Sequence, residues 1–458
     1  MKHVNIVLPA TLLLFCTASN AAERPNIILI VADDIGRDWV SCYGAEHQTP
    51  NIDRLARQGV RYETAWGMPL GMPARVTLLT GQYPFRHGWS EHDESPRGDR
   101  VGLDWRKHQT FVRALQDIGY ATAIGGQWRL NDLKGQPDVL KHHGFDEHCV
   151  RVAIESDAPE TSKGGPGNLV VTNGRHETVS DGSETINAFL SQFIRRQSAK
   201  KPFFIYYPIL QSSRKQSIKD AERQGASRRS ADFSPTALAA SALPLTGKAP
   251  ATSALPLTGK DAEQDKKRNF AEYVTRVDRL VGKLVQVVDD ERLTDNTIIV
   301  LTSDNGSTVA GTLNGKPFEA GKGSPSDRGV HVPFIVRAPF LTAGGCVSRD
   351  LLDLTDIYPT FVELADAAPP ENITLDGRSV VPSLRGSEDP FQKRNWIYSQ
   401  LGNVRMIRDW QHILDSQGNF HDLTKDPLQK EEVSPLDKIA PGRRQRLQAI
   451  LNRLPKAQ

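Results

Sequence analysis

The sequence predicts an α/β protein with a mostly parallel central sheet, helices on both of its faces, and a small C-terminal α+β subdomain. Three observations carry this expectation. Residues Asn26 to Ala32 (NIILIVA) form an unbroken apolar run rich in β-branched side chains, which suits a strand buried on both faces of a parallel sheet. Helix-like and strand-like segments then alternate along much of the chain. With 458 residues, the chain can also build one large core and an appendage.

The elements follow in order. Pro50 to Gly59 (PNIDRLARQG) opens with a proline suited to a first helical turn, places Ile52, Leu55 and Ala56 on one face, and stops at a glycine. A helix over Thr110 to Asp117 precedes a strand at Tyr120 to Ile124. Ile186, Phe189, Leu190 and Phe193 mark a helix before the strand Phe203 to Tyr207. Val274, Val277, Val281, Leu284 and Val288 mark another before Thr297 to Thr302 (TIIVLT). Between Gln211 and Lys267 the pattern dissolves, and SALPLTGK occurs at 241–248 and again at 253–260. Two copies fall short of a solenoid, so this reads as a tandem duplication inside a poorly ordered insertion at about 214–266. The main domain then spans 23–385 and the subdomain 386–458, with short strands at Val404 to Ile407, Trp410 to Leu414 and Phe420 to Leu423 and a helix near Arg443 to Leu454.

Lys2, the apolar run Val7 to Phe15 and the small residues Ala18-Ser19-Asn20-Ala21-Ala22 have the anatomy of a secretory signal peptide over 1–22, which predicts a periplasmic or secreted protein. That run is shorter than the roughly 20 apolar residues of a spanning helix, and no later segment qualifies, so no transmembrane segment is expected. The 57 basic and 54 acidic residues leave a formal charge of +3 with no long single-sign run, which points away from nucleic acid as a partner. Cys42, Cys149 and Cys346 are widely spaced and lack a CxxC pair, which argues against zinc and redox chemistry. One disulfide and one free thiol fit the count, with the pairing open.

Two aspartates, Asp33 and Asp34, follow the first strand, and Asp304 and Asn305 follow the strand at 297–302. Ligands of open α/β sheets bind beyond the carboxyl ends of the strands, so these four can share a site despite their separation in sequence. A single aspartate there would merely cap a loop. Two matched pairs offer hard oxygen ligands without sulfur or imidazole, a set for Ca²⁺, with Mg²⁺ as the alternative.

The runs RPNIILIVADDIG, TPNIDRLARQGVRY, PLGMPARVTLLTGQYPFRHG, LTDNTIIVLTSDNG and GKGSPSDRGVHVPFIVRAP, in this order, resemble the core motifs of the sulfatase family. LTDIYPTFVELA, DGRSVVPSLRG and FHDLTKDP resemble its later segments, so the resemblance extends from about Arg24 to the end of the chain. It implies an alkaline-phosphatase-like fold, a Ca²⁺ site of Asp33, Asp34, Asp304 and Asn305, and hydrolysis of sulfate esters, sulfated carbohydrate among them. In that family a Cys/Ser-x-Pro-x-Arg signature supplies a formylglycine nucleophile; this chain reads Gly71-Met72-Pro73-Ala74-Arg75. Glycine has no β-carbon to oxidise, so no formylglycine is expected.

The resemblance also implies an anion contact for Lys322, within Gly321-Lys322-Gly323, while Arg75 matches a residue that serves either as an anion contact or as a structural ion pair. Where family members carry Gly-Lys-Trp-His, this chain has Gly126-Gln127-Trp128-Arg129, and Ser213 or a neighbour stands where a histidine assists the leaving group. His87 reads as structural, and His142, His143 and His148 lack an identifiable third partner for a metal. General acid–base help is worth on the order of 10²- to 10⁴-fold and covalent catalysis more, so the joint losses predict a degenerate, weakly active or inactive sulfatase, a pseudoenzyme. Two other readings stand beside it: a hydrolase of sulfate or phosphate esters using metal-bound water, and a structural or partner-binding envelope protein.

Overall fold

The computed structural model of the protein describes residues 24–91, 102–152, 169–197, 201–209, 260–433 and 440–456. The signal-like segment and most of the predicted insertion therefore lie outside the described residues. A ten-stranded sheet organises the molecule. Its strands are β1 (Asn26–Ala32), β2 (Val60–Trp66), β3 (Ala121–Gln127), β4 (Glu147–Arg151), β5 (Leu169–Thr172), β6 (Arg175–Thr178), β7 (Phe203–Pro208), β8 (Thr297–Ser303), β11 (Phe334–Arg337) and β12 (Cys346–Asp353); β9 (Gly311–Leu313) and β10 (Lys316–Phe318) form a separate hairpin. The order across the sheet is β12-β2-β11-β8-β1-β7-β3-β4-β5-β6. The run β8-β1-β7-β3-β4 is parallel, as expected, but β11, β5 and β6 pair antiparallel, so the sheet is mixed.

The longer helices are α1 (Pro50–Gln58), α2 (Gly71–Thr80), α3 (Phe111–Asp117), α4 (Gly182–Gln197), α5 (Lys260–Asp290), α6 (Ile357–Leu364) and α7 (Ala440–Arg453). Strand β1 shows why its sequence is apolar throughout. Ile27, Leu29 and Val31 pack into the core that holds residues of α2, α3 and α6. Ile28, Ile30 and Ala32 pack into the opposite core with α1, α4 and α5. Both faces are buried, so alternation would have placed polar groups in a core. Helix α1 is capped from a distance: the Asp278 carboxylate on α5 accepts the main-chain N–H groups of Asn51 (3.0 Å) and Ile52 (2.9 Å), which otherwise have no partner within the helix.

Several expectations are corrected. Helix α5 begins at Lys260, so the last part of the predicted insertion is helical. Strand β3 runs on to Gln127, past the predicted end at Ile124. Strand β2 had no clear signal, because its alternation is broken by Glu63 and Thr64. The three described cysteines are all free: Cys42 is half-buried, Cys149 buried and Cys346 exposed.

The C-terminal segment folds as an antiparallel meander of β13 (Ile397–Leu401), β14 (Val404–Arg408), β15 (His412–Asp415) and β16 (Phe420–Asp422), with α7 packed on it. The predicted strand at Trp410 starts two positions later, and β13 was not foreseen. Tyr398, Ile407, Leu414, Phe420, Leu447 and Leu451 belong to the same core as Leu29 and Phe204, so the meander shares the main hydrophobic interior. A buried polar junction fixes it there. Asp327 accepts from Trp66 Nε1 at 2.8 Å and from Arg408 Nη1 at 2.6 Å, and His331 Nδ1 lies 3.0 Å away. Replacing Asp327 with alanine would leave the buried Arg408 cation unpaired. The expected loss is about 3–5 kcal/mol, read as a lowered denaturation midpoint with intact secondary structure before the transition.

Candidate metal and anion site

Strands β1 and β8 are parallel neighbours in register, with Ala32 beside Ser303. The chains that leave them therefore place Asp33 and Asp304 side by side at the carboxyl edge. Asp34 turns sharply, with φ +64° in the left-handed region, a conformation aspartate tolerates better than most residues. Its N–H donates to Asp304 Oδ1 at 3.1 Å, and the Asn305 N–H donates to the same oxygen at 3.0 Å. Asn305 Nδ2 donates to Asp34 Oδ1 at 2.9 Å. Ser303 Oγ accepts the Ile35 N–H at 3.1 Å, and Ser307 Oγ accepts that of Gly36 at 2.8 Å. The two loops thus hold each other, and one carboxylate oxygen from each of Asp33, Asp34 and Asp304 lies within 4.8 Å of the others.

All four residues are buried, and buried carboxylates need compensating charge. Arg75 on α2 supplies it: its Nη2 lies 2.9 Å from Asp33 Oδ1 and 3.3 Å from Asp304 Oδ2. Lys322 Nζ reaches an Asp34 carboxylate oxygen at 2.6 Å. Burial works against ionisation of Asp33, yet Arg75 and then Arg129 hold its carboxyl below the usual range. Asp304 goes the other way: burial first and the Asp33 charge second push it up to about 8. The cluster thus stores a proton near neutrality. Its fit to a hard cation rests on the oxygen-only donor set and on Asn305 Oδ1, a buried acceptor with no hydrogen-bond partner among the described residues.

Gly71 begins α2 with no side chain capping that end. A Cβ placed on it would point into the cluster, 2.9 Å from Asp304 Oδ2 and 3.7 Å from Asn305 Oδ1. A side chain at this position would therefore project among the acids.

A family model described as Sulfatase matches residues 25–367. The chain belongs to the sulfatase family. It is 28% identical over 398 residues to N-acetylgalactosamine-6-sulfatase of Canis lupus familiaris, an alignment covering 81% of this chain and 68% of that one. It is 26% identical over 468 residues to N-acetylgalactosamine-6-O-sulfatase of Bacteroides thetaiotaomicron, covering 90% of each. Among solved structures, Ps i-CgsB superposes with a TM-score of 0.70 at 25% identity, covering 94% of this chain and 93% of that one. BT4656 in complex with its substrate D-glucosamine-2-N,6-O-disulfate superposes at 0.66 and 20% identity, covering 94% and 97%, a likeness of fold. The fold of this sulfatase-family chain is accordingly alkaline-phosphatase-like.

Within this family member the structure brings together Asp33, Asp34, Asp304, Asn305, Arg75, Lys322 and the Gly71 end of α2. Arg75 is an ion-pair partner here, while its Nη1 is buried without a partner among the described residues. Gln127 closes β3 with a buried Oε1 that likewise has none. Arg129 is exposed, though near enough for its charge to act on Asp33. Ser213 lies outside the described residues. His87 is a packed residue between Thr77 Oγ1 (3.0 Å) and the Trp89 N–H (3.1 Å). His142 stacks on Trp105 at 4.4 Å and His143 tilts against Trp128 at 5.2 Å; among the described residues the acids form the one candidate metal group.

Sequence reasoning missed Tyr206, whose hydroxyl is buried beside Arg75 and Asp304, and Tyr273, which touches Asp33. Tyr206 lies in an apolar run and Tyr273 on the apolar face of α5, and in both places an aromatic reads as core. A divalent cation must displace the Asp304 proton, so Ca²⁺ affinity should fall as pH drops below about 8, by about tenfold per unit for one displaced proton. Calorimetry between pH 6 and 9 checks this; a flat profile would contradict it.

Proposed function

We propose that this sulfatase-family protein binds a divalent cation, Ca²⁺ by preference, together with a sulfate ester of carbohydrate, and hydrolyses that ester little or not at all. The observation that carries the reading is Gly71. A side chain at position 71 would project into the acid cluster, and glycine has none, so no covalent sulfate can form there. A bound cation would supply positive charge beside the sulfate oxygens. The chain's own residues bind and orient: Lys322, part-exposed at 22%, offers an ammonium at the rim of the site, and Nη1 of Arg75, unpartnered among the described residues, offers a second donor inside it. Gln127 carries no basic group, and the Arg129 guanidinium is a donor with no acceptor site, so neither takes a proton from an attacking water.

The relatives named N-acetylgalactosamine-6-sulfatase favour a sulfated amino sugar as the ligand, with N-acetylgalactosamine 6-sulfate oligosaccharides as the first probe. The run Val7 to Phe15 and the small residues after it support export to the periplasm or beyond; mass spectrometry of the mature N-terminus checks this, and an uncleaved chain would contradict it. The functional test is titration in the presence of Ca²⁺. The parent should bind the sulfated oligosaccharide, Lys322→Ala should weaken it about tenfold, the desulfated sugar should bind poorly, and the ligand should be recovered intact. Sulfate release by the parent at about 1 s⁻¹ or faster, an ordinary enzymatic rate, would overturn the proposal.

A further inference from the structure

Tyr273 lies on α5 beside Phe270, Val274 and Val277, all buried against the sheet. Its ring packs at 5.8 Å from that of Phe270, which meets Trp39 edge-on at 4.9 Å. By spacing it is one more core aromatic. Its hydroxyl, however, makes two hydrogen bonds to a single residue. It donates to the main-chain carbonyl of Asp33 at 2.8 Å and accepts the main-chain N–H of Asp33 at 3.2 Å.

Those two groups need such a partner. Strand β1 ends at Ala32, so the polar main-chain atoms of Asp33 lie beyond the sheet's hydrogen-bond ladder while remaining buried. The next residue, Asp34, adopts the left-handed conformation at the turn where its own N–H meets Asp304. A sparsely populated turn of this kind persists only where the surroundings over-determine it. Three successive N–H groups are each held by a side chain: Asp33 by Tyr273, Asp34 by Asp304 and Ile35 by Ser303. Two of those anchors come from the β8 edge. Tyr273 alone approaches from a helix on the α5 face.

We propose that Tyr273 is a positioning residue for the cation site: by gripping the peptide groups on both sides of Asp33, its hydroxyl sets the direction of the Asp33 carboxylate. The inference rests on the cation-binding reading above. Phenylalanine at this position keeps the ring and its packing but releases both bonds, so the main chain that carries the Asp33 carboxylate loses its anchor on α5. Residues that orient metal ligands typically account for about ten- to hundredfold in affinity.

The test is calorimetric titration of the full chain with CaCl₂ for the parent, Tyr273→Phe and Tyr207→Phe. Tyr207 is a buried tyrosine of the same core whose hydroxyl meets Asn187 Nδ2 at 3.4 Å, so its variant removes a comparable group away from Asp33. The expected result is a Ca²⁺ Kd raised about ten- to hundredfold in Tyr273→Phe and unchanged in Tyr207→Phe, each variant being titrated at a temperature below its own metal-free unfolding transition. An unchanged Kd in Tyr273→Phe, or equal weakening in both variants, would overturn the assignment. A parent that binds no Ca²⁺ would instead remove the cation reading, and this one with it.

Discussion

Three buried carboxylates at one point of the sheet edge set the terms for the rest of the site. They meet because β1 and β8 are adjacent, parallel and end at the same level. Left uncompensated, such a group of charges would be expelled or protonated. The fold uses both remedies: Arg75 bridges Asp33 and Asp304, Lys322 reaches Asp34, and Asp304 retains a proton toward neutral pH. Without a cation, these two basic groups neutralise the acids. On the proposed reading, a bound cation would free both for an anion, so cation and sulfate binding would be coupled through the same side chains and each would favour the other.

Against that background the start of α2 has a definite geometry. Helix α2 aims its first residue at the acids and carries Arg75 on its second turn. One element therefore delivers both the retained charge and the vacant side-chain position. A glycine at position 71 leaves the counter-charge of Arg75 in place, so the buried acids stay balanced without a side chain there.

Much of this was legible in the sequence, for identifiable reasons. β1 and β8 are unbroken apolar strands followed at once by polar pairs, a pattern strong enough to give both the fold class and the four acid-site residues. Gly71, Arg75 and Lys322 were legible through family motifs. The less visible parts depend on contacts between distant segments. Nothing local to Val60–Trp66 marks it as a strand, since its pairing with β11 and β12 decides that. Tyr206 and Tyr273 look like core aromatics, because a hydroxyl's partner is set by tertiary packing. The antiparallel outer strands and the seating of the C-terminal meander on Asp327 likewise depend on partners far along the chain.

The central claim is that Asp33, Asp34, Asp304 and Asn305 hold one cation directly in front of Gly71. Anomalous diffraction from crystals grown with Ca²⁺ tests it most directly. A single strong peak is expected within about 2.3–2.6 Å of oxygens from all four residues, with Arg75 and Lys322 drawn away from the carboxylates. An empty cluster at saturating Ca²⁺, with both ion pairs intact, would contradict it.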